Sequence, residues 1–320
     1  MIVKDVLSQE YPFVEAIAQA LPICDEFLIS DGYSTDGTYE VLAEISKLNP
    51  KIKVYRDHWP PLNSLSVLRD VTNILRRRCT GRYIFYVQAN EVVHEQSAMV
   101  IKELPEMWPS VMFFSLPYIQ LVGTVRFTEE FRERLVKNYD FIEAVGDAWT
   151  LGLSRDFLIR ENLKSLLRPR RLLSYSYRGI QSTYANVPTS KYTRAISLPK
   201  PIFRYWCVTL SGFCKKLRRH KEMFKDFDYG ALGEEPKTFS SAVNFLKKIC
   251  LKNNLDVPSY PSNILEVPLD EHPHIMRDLL QKGVYYIRDE VKEFIKRGLN
   301  SYETSRAMAF LRRPPIQKPS

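Results

Sequence analysis

No run of this 320-residue sequence is apolar for long enough to cross a membrane. The longest such stretch, Val111–Val125, is interrupted by Ser115, Pro117 and Gln120. It falls short of the roughly 20 apolar residues a spanning helix needs. The opening residues, MIVKDVLSQEYP, lack the apolar core of a signal peptide. Cysteine is scarce: Cys24, Cys79, Cys207, Cys214 and Cys250 are odd in number and show no paired zinc spacing. That argues against a disulfide framework and for buried free thiols in a reducing compartment. No low-complexity tract or internal repeat is visible. The expected location is cytoplasmic, extending to the membrane periphery.

What is present is ordinary for a globular chain: 45% apolar and 26% charged residues, enough for one large domain or two smaller ones. Charge is uneven. Residues 1–100 hold 10 Lys and Arg against 13 Asp and Glu, a net of −3, whereas the whole chain carries +9, so residues 101–320 carry +12. Basic clusters stand at Arg168-Pro169-Arg170-Arg171 and at Lys215-Lys216-Leu217-Arg218-Arg219-His220-Lys221. Such clusters attract nucleic acid, acidic lipid or phosphorylated ligands, or they form a solvated helix face. Nucleic acid is disfavoured as a partner because no binding motif accompanies the charge.

Periodicity gives an α/β chain. Val14, Ile17, Ala18 and Leu21 mark one helix face. Strands are expected at Met1–Lys4, Glu26–Ser30, Lys53–Arg56 and Tyr83–Gln88, with helices near Tyr39–Leu48 and Leu65–Arg78 between them. This alternation predicts right-handed βαβ units and a mostly parallel sheet flanked by helices. A helix near Ser97–Leu104 precedes strands at Val111–Pro117 and Ile119–Phe127, a third short strand at Leu135–Lys137 and a loop at Gly146–Trp149. Beyond about residue 200 helices dominate: Gly212–Phe227, Ser240–Lys252, Ile275–Lys282, Arg288–Lys296 and Tyr302–Arg312. The expected division is a nucleotide-binding domain over 1–205 and a helical C-terminal extension over 206–320, with a frayed tail after Arg313.

The most informative segment is residues 26–38, EFLISDGYSTDGT. Phe27, Leu28 and Ile29 read as a buried strand, Asp31 stands at its end, and Gly32 and Gly37 loosen the turn. Thr38 is placed to cap a helix from Tyr39, with Asp36 near its positive end. Open α/β sheets bind ligands at such strand ends. An aspartate there accepts hydrogen bonds from a base or ribose; the alternative is a plain βα turn.

DGYSTDGT resembles the D-G-x-S-x-D-G-T turn of family 2 glycosyltransferases, and Tyr83–Glu95 resembles the Y-L-Q-A-D-E-V-x-H-E strand and turn of one branch of that family. Val71-Thr72-Asn73, Gly81-Arg82-Tyr83, Tyr11–Ile17 and Leu21–Glu26 match in the same order, with weaker echoes at Gly146-Asp147-Ala148 and His272-Pro273. The resemblance is dense over residues 11–95 and implies a GT-A fold. It also implies transfer of a sugar from a nucleoside-diphosphate sugar to an acceptor hydroxyl, with inversion, on a glycan or lipid-linked acceptor. The alternative is a glycosyltransferase-like module that binds a nucleotide or a partner without catalysis.

The resemblance implies site roles. Asp31, Asp36 and Asp5 would hold the nucleoside, although the family often carries Arg-Asn where this chain has Lys4-Asp5. Arg69 and Asn73, an i,i+4 pair, would lie near the nucleotide. A divalent metal, Mg²⁺ or Mn²⁺, would sit at Gln88-Ala89-Asn90-Glu91, where Asn90 replaces the expected aspartate and loses its charge. Three readings stand open: weak metal binding through Asn90 and Glu91, diphosphate neutralisation by Arg132, Arg134 or Arg170 without metal, or lost catalysis. His94 is a metal or phosphate contact, or a helix cap. Asp147 is the candidate catalytic base, with Glu129, Glu130 and Glu133 as competitors. Trp149 and Tyr139 offer aromatic faces for an acceptor sugar or belong to the core.

Overall fold

A computed structural model describes residues 1–61, 66–166, 193–223, 235–253 and 265–298. Arg170 and its neighbouring cluster, the expected helix at Tyr302–Arg312 and the C-terminal tail lie outside these residues. The chain is an α/β protein built on two principal sheets.

The first sheet is wholly parallel, with β2 (Phe27–Asp31) between β1 (Ile2–Val3) and β3 (Ile52–Arg56). All five β2 residues are buried, as expected of a central strand covered on both faces. The crossovers are α1 (Phe13–Ala20) and α2 (Thr38–Leu48), whose apolar stripes supply Phe13, Ile17, Leu42 and Ile45 to the core beside Ile29. After α3 (Ser66–Arg76) comes β4 (Tyr83–Phe85), which pairs with the second sheet.

The spine of the second sheet is a long hairpin of β6 (Phe113–Val122) and β7 (Val125–Lys137). The two strands expected at Val111–Pro117 and Ile119–Phe127 are thus one strand and the start of the next. The chain turns at Gly123-Thr124, not at Pro117. Gly123 has φ +59, and a Cβ there would stand 2.3 Å from the Phe239 ring, so the turn needs glycine on both counts. Pro117 falls between the pairing of β10 (Thr193–Ala195), which reaches Ser115, and that of β11 (Ile202–Cys207), which begins at Tyr118. A strand tolerates a missing N–H where its neighbour is interrupted. The expected strand at Leu135–Lys137 is the end of β7. Two short strands complete the sheet: β5 (Glu91–Val93) beside β11 and β12 (Leu265–Glu266) beside β7. Four of the pairings in this sheet are antiparallel among strands β4 to β7, β11 and β12, so the parallel character resides mainly in the first sheet. A separate hairpin, β8 (Ile142–Val145) with β9 (Thr150–Leu153), follows β7, and α4 (Glu95–Met107) covers β6.

The C-terminal helices divide between the two sheets. Helices α6 (Leu210–Met223) and α7 (Phe239–Lys252) pack on the turn end of the β6–β7 hairpin, and α8 (His274–Lys282) and α9 (Asp289–Arg297) pack on α1 and α2. Asn49 donates to the Ile295 carbonyl at 3.0 Å, and Glu15 of α1 faces Arg288 at 3.7 Å with no exposure of its own. Residue 205 lies inside β11, and residues 275–295 share the core of α1 and α2. A short helix, α5 (Arg155–Leu166), follows β9. Among the described residues no helix is long and apolar enough to cross a membrane.

Candidate active site

The tip of β2 is the first component. Asp31 pairs in register with Val3 on one side and Arg56 on the other and has no exposure. Its carboxylate accepts from the Ser34 N–H at 3.2 and 3.3 Å and from Arg56 Nε at 3.3 Å. Arg56 lies under Tyr33 and Tyr39 at 4.4 and 4.1 Å, and Tyr33 stacks on His58 at 4.0 Å. Gly32 follows Asp31, and a Cβ there would meet the Trp59 indole at 2.8 Å. The Trp59 Nε1–H is buried without a partner among the described residues.

Asp5 and Asp36 tie the N-terminal loop to this turn. Asp5, at φ +49, accepts from the Thr35 N–H at 2.8 Å, and its own N–H donates to Ser34 Oγ at 2.8 Å. Asp36 accepts from the Ser8 N–H at 2.7 Å and the Thr38 N–H at 3.0 Å. Burial works to raise its pKa, but these donors outweigh burial and hold it below the usual carboxylate value. The helix starts at Thr38, so Asp36 serves its N-terminus, and Thr38 Oγ1 instead accepts from the Leu7 N–H at 3.1 Å.

On α3, Arg69 and Asn73 have different surroundings despite their shared face. Arg69 pairs with Asp70 at 2.8 Å on the surface. Asn73 is buried and accepts from the Ala144 N–H at 2.7 Å, fastening β8 to the helix.

The turn before β5 is the second component. Asn90 is 3% exposed, donates from its amide to the Tyr205 carbonyl at 2.9 Å and accepts the Tyr205 N–H on its own carbonyl at 2.9 Å. Glu91 is 1% exposed and forms an ion pair with Arg134, itself 0% exposed. The same Glu91 oxygen accepts from Tyr118 Oη at 2.7 Å, and the other accepts from the Gln88 N–H at 3.1 Å. Burial opposes the charge on Arg134, but Glu91, then Tyr118 and Tyr86, hold its pKa above the ordinary value. His94 caps α4 by accepting the Gln96 N–H at 3.1 Å, and burial pushes it down to about 4. Among the described residues no group of three or more His, Cys, Asp or Glu is arranged to hold a metal ion.

The third component is the turn between β8 and β9, where Gly146 and Ala148 have φ of +62° and +64°. The Ala148 carbonyl accepts from Tyr86 Oη at 2.8 Å and Gln88 Nε2 at 3.1 Å, and the Trp149 carbonyl accepts from Arg134 Nη1 at 2.8 Å. The turn is therefore fastened to the Gln88–Glu91 network. Trp149 is held between Arg132 and Arg204, at 4.3 and 4.4 Å from its ring. Tyr139 instead joins an aromatic stack with Phe141 at 5.1 Å. The Asp147 carboxylate has no partner among the described residues, whereas Glu129 pairs with Arg126, Glu130 with Arg132, and Glu133 accepts from Ser115 and Thr150.

Asp5, Asp31 and Asp36 thus gather at one strand end. Asn90 and Glu91 are joined to the Asp147 turn. Arg69 stands apart. Among the described residues, no hydrogen bond or ion pair joins the Asp31 group to the Glu91 group; α6 bridges them. Its Arg219 donates to the Lys4 carbonyl, next to Val3 of β1, at 3.2 Å, and its Lys216 donates to the Trp206 carbonyl, next to Tyr205, at 2.9 Å.

Comparison with solved structures finds glycosyltransferases. The chain aligns with S. aureus TarS 1–349 at 9% identity and TM-score 0.36, covering 95% of this chain and 90% of that one. A second match is the mannosyltransferase PcManGT from Pyrobaculum calidifontis, solved with GDP-Man and Mn²⁺, at 14% identity and TM-score 0.35, covering 97% and 81%. TarS 1–349 with UDP matches at 11% identity and TM-score 0.35, covering 95% and 90%. Scores and identities this low do not establish shared chemistry. No family model matches the sequence, and no curated protein matches it.

The residues that sequence reasoning missed are mostly cations. Arg204 is the one charge in the strand Ile202–Cys207. The basic run at 215–221 is not a uniformly solvated face: Lys215 and Arg218 are exposed, but Lys216 is 2% exposed and lies 4.8 and 4.5 Å from the Tyr11 and Trp206 rings. The period of the helix, with Phe213, Lys216, Leu217 and His220 on one side, was the available signal.

Proposed function

We propose that this chain is a nucleotide-sugar-dependent glycosyltransferase of the GT-A type in family 2, moving a sugar to an acceptor hydroxyl with inversion. The observation that carries this reading is Asp31. It closes the middle strand of a parallel sheet and is followed by the close approach of Gly32 to Trp59. Ligands of open α/β sheets bind outside such strand ends. A carboxylate offers about four acceptor sites, so Asp31 has acceptor capacity beyond Ser34 and Arg56, which a base or ribose would reach only by displacing the side chains that leave Asp31 without exposure.

Asp147 takes the role of base in this reading. It is the carboxylate of the candidate set left without a partner among the described residues, on a turn held rigid by Tyr86, Gln88 and Arg134. Its Oδ would accept the acceptor hydroxyl proton as the sugar–phosphate bond breaks. Residues 1–205 would bind the donor. The basic remainder, with its exposed Lys215 and Arg218, would face a glycan or lipid-linked acceptor at an anionic surface.

A second reading, a nucleotide-binding module without catalysis, is favoured by one observation: Glu91 is already neutralised by Arg134. A thermal-shift screen of nucleotide sugars followed by a transfer assay separates the two. A ligand at 100 times its Kd stabilises by about 2.7 kcal/mol. We expect stabilisation by a nucleotide sugar and transfer that Asp147→Asn abolishes while donor binding persists. Binding without transfer in the wild type selects the module; turnover retained in Asp147→Asn removes that residue as the base.

A further inference from the structure

Resting on the donor-binding reading above, we propose that the chain holds the donor diphosphate without a divalent ion, meeting its charge with Arg204, Lys216 and Arg219. The metal implied by the family resemblance does not fit the turn it would occupy. Mg²⁺ and Mn²⁺ need several hard oxygen ligands, with charge to offset dehydration. Both Glu91 oxygens already accept hydrogen bonds, from Arg134, Tyr118 and the Gln88 N–H. A dication beside them would meet the fixed guanidinium of Arg134 in a setting with almost no solvent to screen it. The Asn90 side-chain amide is engaged by the Tyr205 carbonyl while the Asn90 backbone carbonyl takes the Tyr205 N–H, so turning the side chain to a cation would give up the first of these bonds and leave that carbonyl without its donor.

Positive charge is instead built into the neighbouring strand and helix. Arg204 pairs in register with Glu91 and with Gln120, donates to Gln120 Oε1 at 2.7 Å and leaves its Nε–H buried without a partner. Lys216 has one hydrogen bond, to the Trp206 carbonyl, and two aromatic neighbours. Arg219 lies one helical turn on and reaches the Lys4 carbonyl at the end of β1. The row therefore runs from the Asn90–Glu91 turn to the strand ends that carry Asp31. Among the described residues none of the three has a carboxylate partner, and Glu10 is held by Lys215 and Thr209. The electrostatics agree. Lys216 falls well below its ordinary pKa through burial, with Arg204 and Arg219 adding to the effect. His220 is pushed to about 3 by burial and by the same cations. A buried cation such as Lys216, flanked by the two partly exposed guanidinium groups and without a counterion, is costly, and a diphosphate is a counterion of matching charge.

The test is calorimetry of UDP and GDP against the full chain, in EDTA and in Mn²⁺, with paramagnetic resonance of Mn²⁺ alone as a second readout. We expect one nucleotide to bind with the same affinity in both buffers, and the free Mn²⁺ signal to persist when protein is added. Binding that requires Mn²⁺, or depletion of the Mn²⁺ signal by the protein, overturns the proposal and leaves the donor reading intact. No binding of either nucleotide in either buffer overturns the donor reading and this inference with it. The half-buried Arg219 is the residue to change. Arg219→Gln should weaken binding roughly tenfold, the scale of one charge-assisted hydrogen bond, and flatten its salt dependence, while Arg219→Lys retains most of the affinity. Unchanged affinity and salt dependence in Arg219→Gln, with unfolding like the wild type, removes the cation row.

Discussion

The two turns of this molecule that carry candidate carboxylates, at Asp31–Thr38 and Gln88–Glu91, differ in what answers their charge. At the tip of β2, Asp5 and Asp36 accept mainly from backbone N–H groups of Thr35, Ser8 and Thr38, and Asp31 accepts from the Ser34 N–H and pairs at 3.3 Å with Arg56, which is partly exposed to solvent. Amide donors orient a carboxylate and leave its negative charge in place. At the turn before β5, Glu91 meets a buried guanidinium and a buried phenol, and its charge is cancelled. The first turn retains the means to attract donor groups of a ligand. The second has become a structural joint that fixes the Asp147 turn through Arg134. A motif of residue types therefore does not determine electrostatic character; the partner across the sheet does.

The largest test of this contrast is Arg134→Met. It leaves Glu91 buried without its cation and should cost about 3–5 kcal/mol in urea unfolding. Adding Glu91→Gln should recover part of that loss, because the two residues act as a unit. A cost near zero for Arg134→Met would erase the difference between the turns.

Glu15 sharpens the comparison, since it is a buried carboxylate whose cation, Arg288, stands 3.7 Å away and makes no hydrogen bond to it. Burial pushes Glu15 up to about 7 from 4.5, with Arg288 offsetting only part. A carboxyl whose folded pKa is raised binds more protons folded than unfolded. Its contribution is therefore fullest below about pH 4.5 and is lost as pH rises to about 7. Wild type minus Glu15→Gln should show this loss as a slope over that window, on the order of 3 kcal/mol in all. A flat difference would mean that Arg288 compensates Glu15 as Arg134 compensates Glu91.

Asn90→Asp comes next. A carboxylate there would face the Tyr205 carbonyl in place of the present amide donor. We expect about 1–3 kcal/mol of destabilisation and no gain in Mn²⁺ affinity, reversing the simple expectation that restoring the aspartate restores a metal. The smallest effect belongs to Asp36→Ala, which removes acceptors for the Ser8 and Thr38 N–H groups and should cost about 1 kcal/mol, the scale of a lost helix cap.

Much of the fold was legible because it rests on local signals. The βαβ alternation placed β2, β3 and α2 to within a residue, and the apolar face at Val14, Ile17 and Ala18 marked α1, since a doubly covered strand and an amphipathic helix each carry their own period. The hairpin was misread at Pro117, because tolerance of proline depends on whether a neighbouring strand pairs at that point, which is a tertiary fact. The site was legible only as a set of residue types. Asp31 stands at the strand end as its context suggested, and His94 caps a helix. Nothing local distinguishes Asn73, which is buried under β8, from Arg69 one turn earlier, which is on the surface. Nor could spacing reveal that Arg134, 43 residues from Glu91, would become its partner. The inward turn of Lys216 was readable from helical period, but a dense basic run obscured it.

The central claim is that a donor nucleotide binds against the Asp31 carboxylate. Calorimetric titration of UDP and GDP into the wild type and into Asp31→Ala addresses it most directly. The account predicts binding by the wild type and a loss of affinity of roughly tenfold or more in the variant, the scale of one hydrogen bond to a charged group. Equal affinity in the two proteins would contradict it.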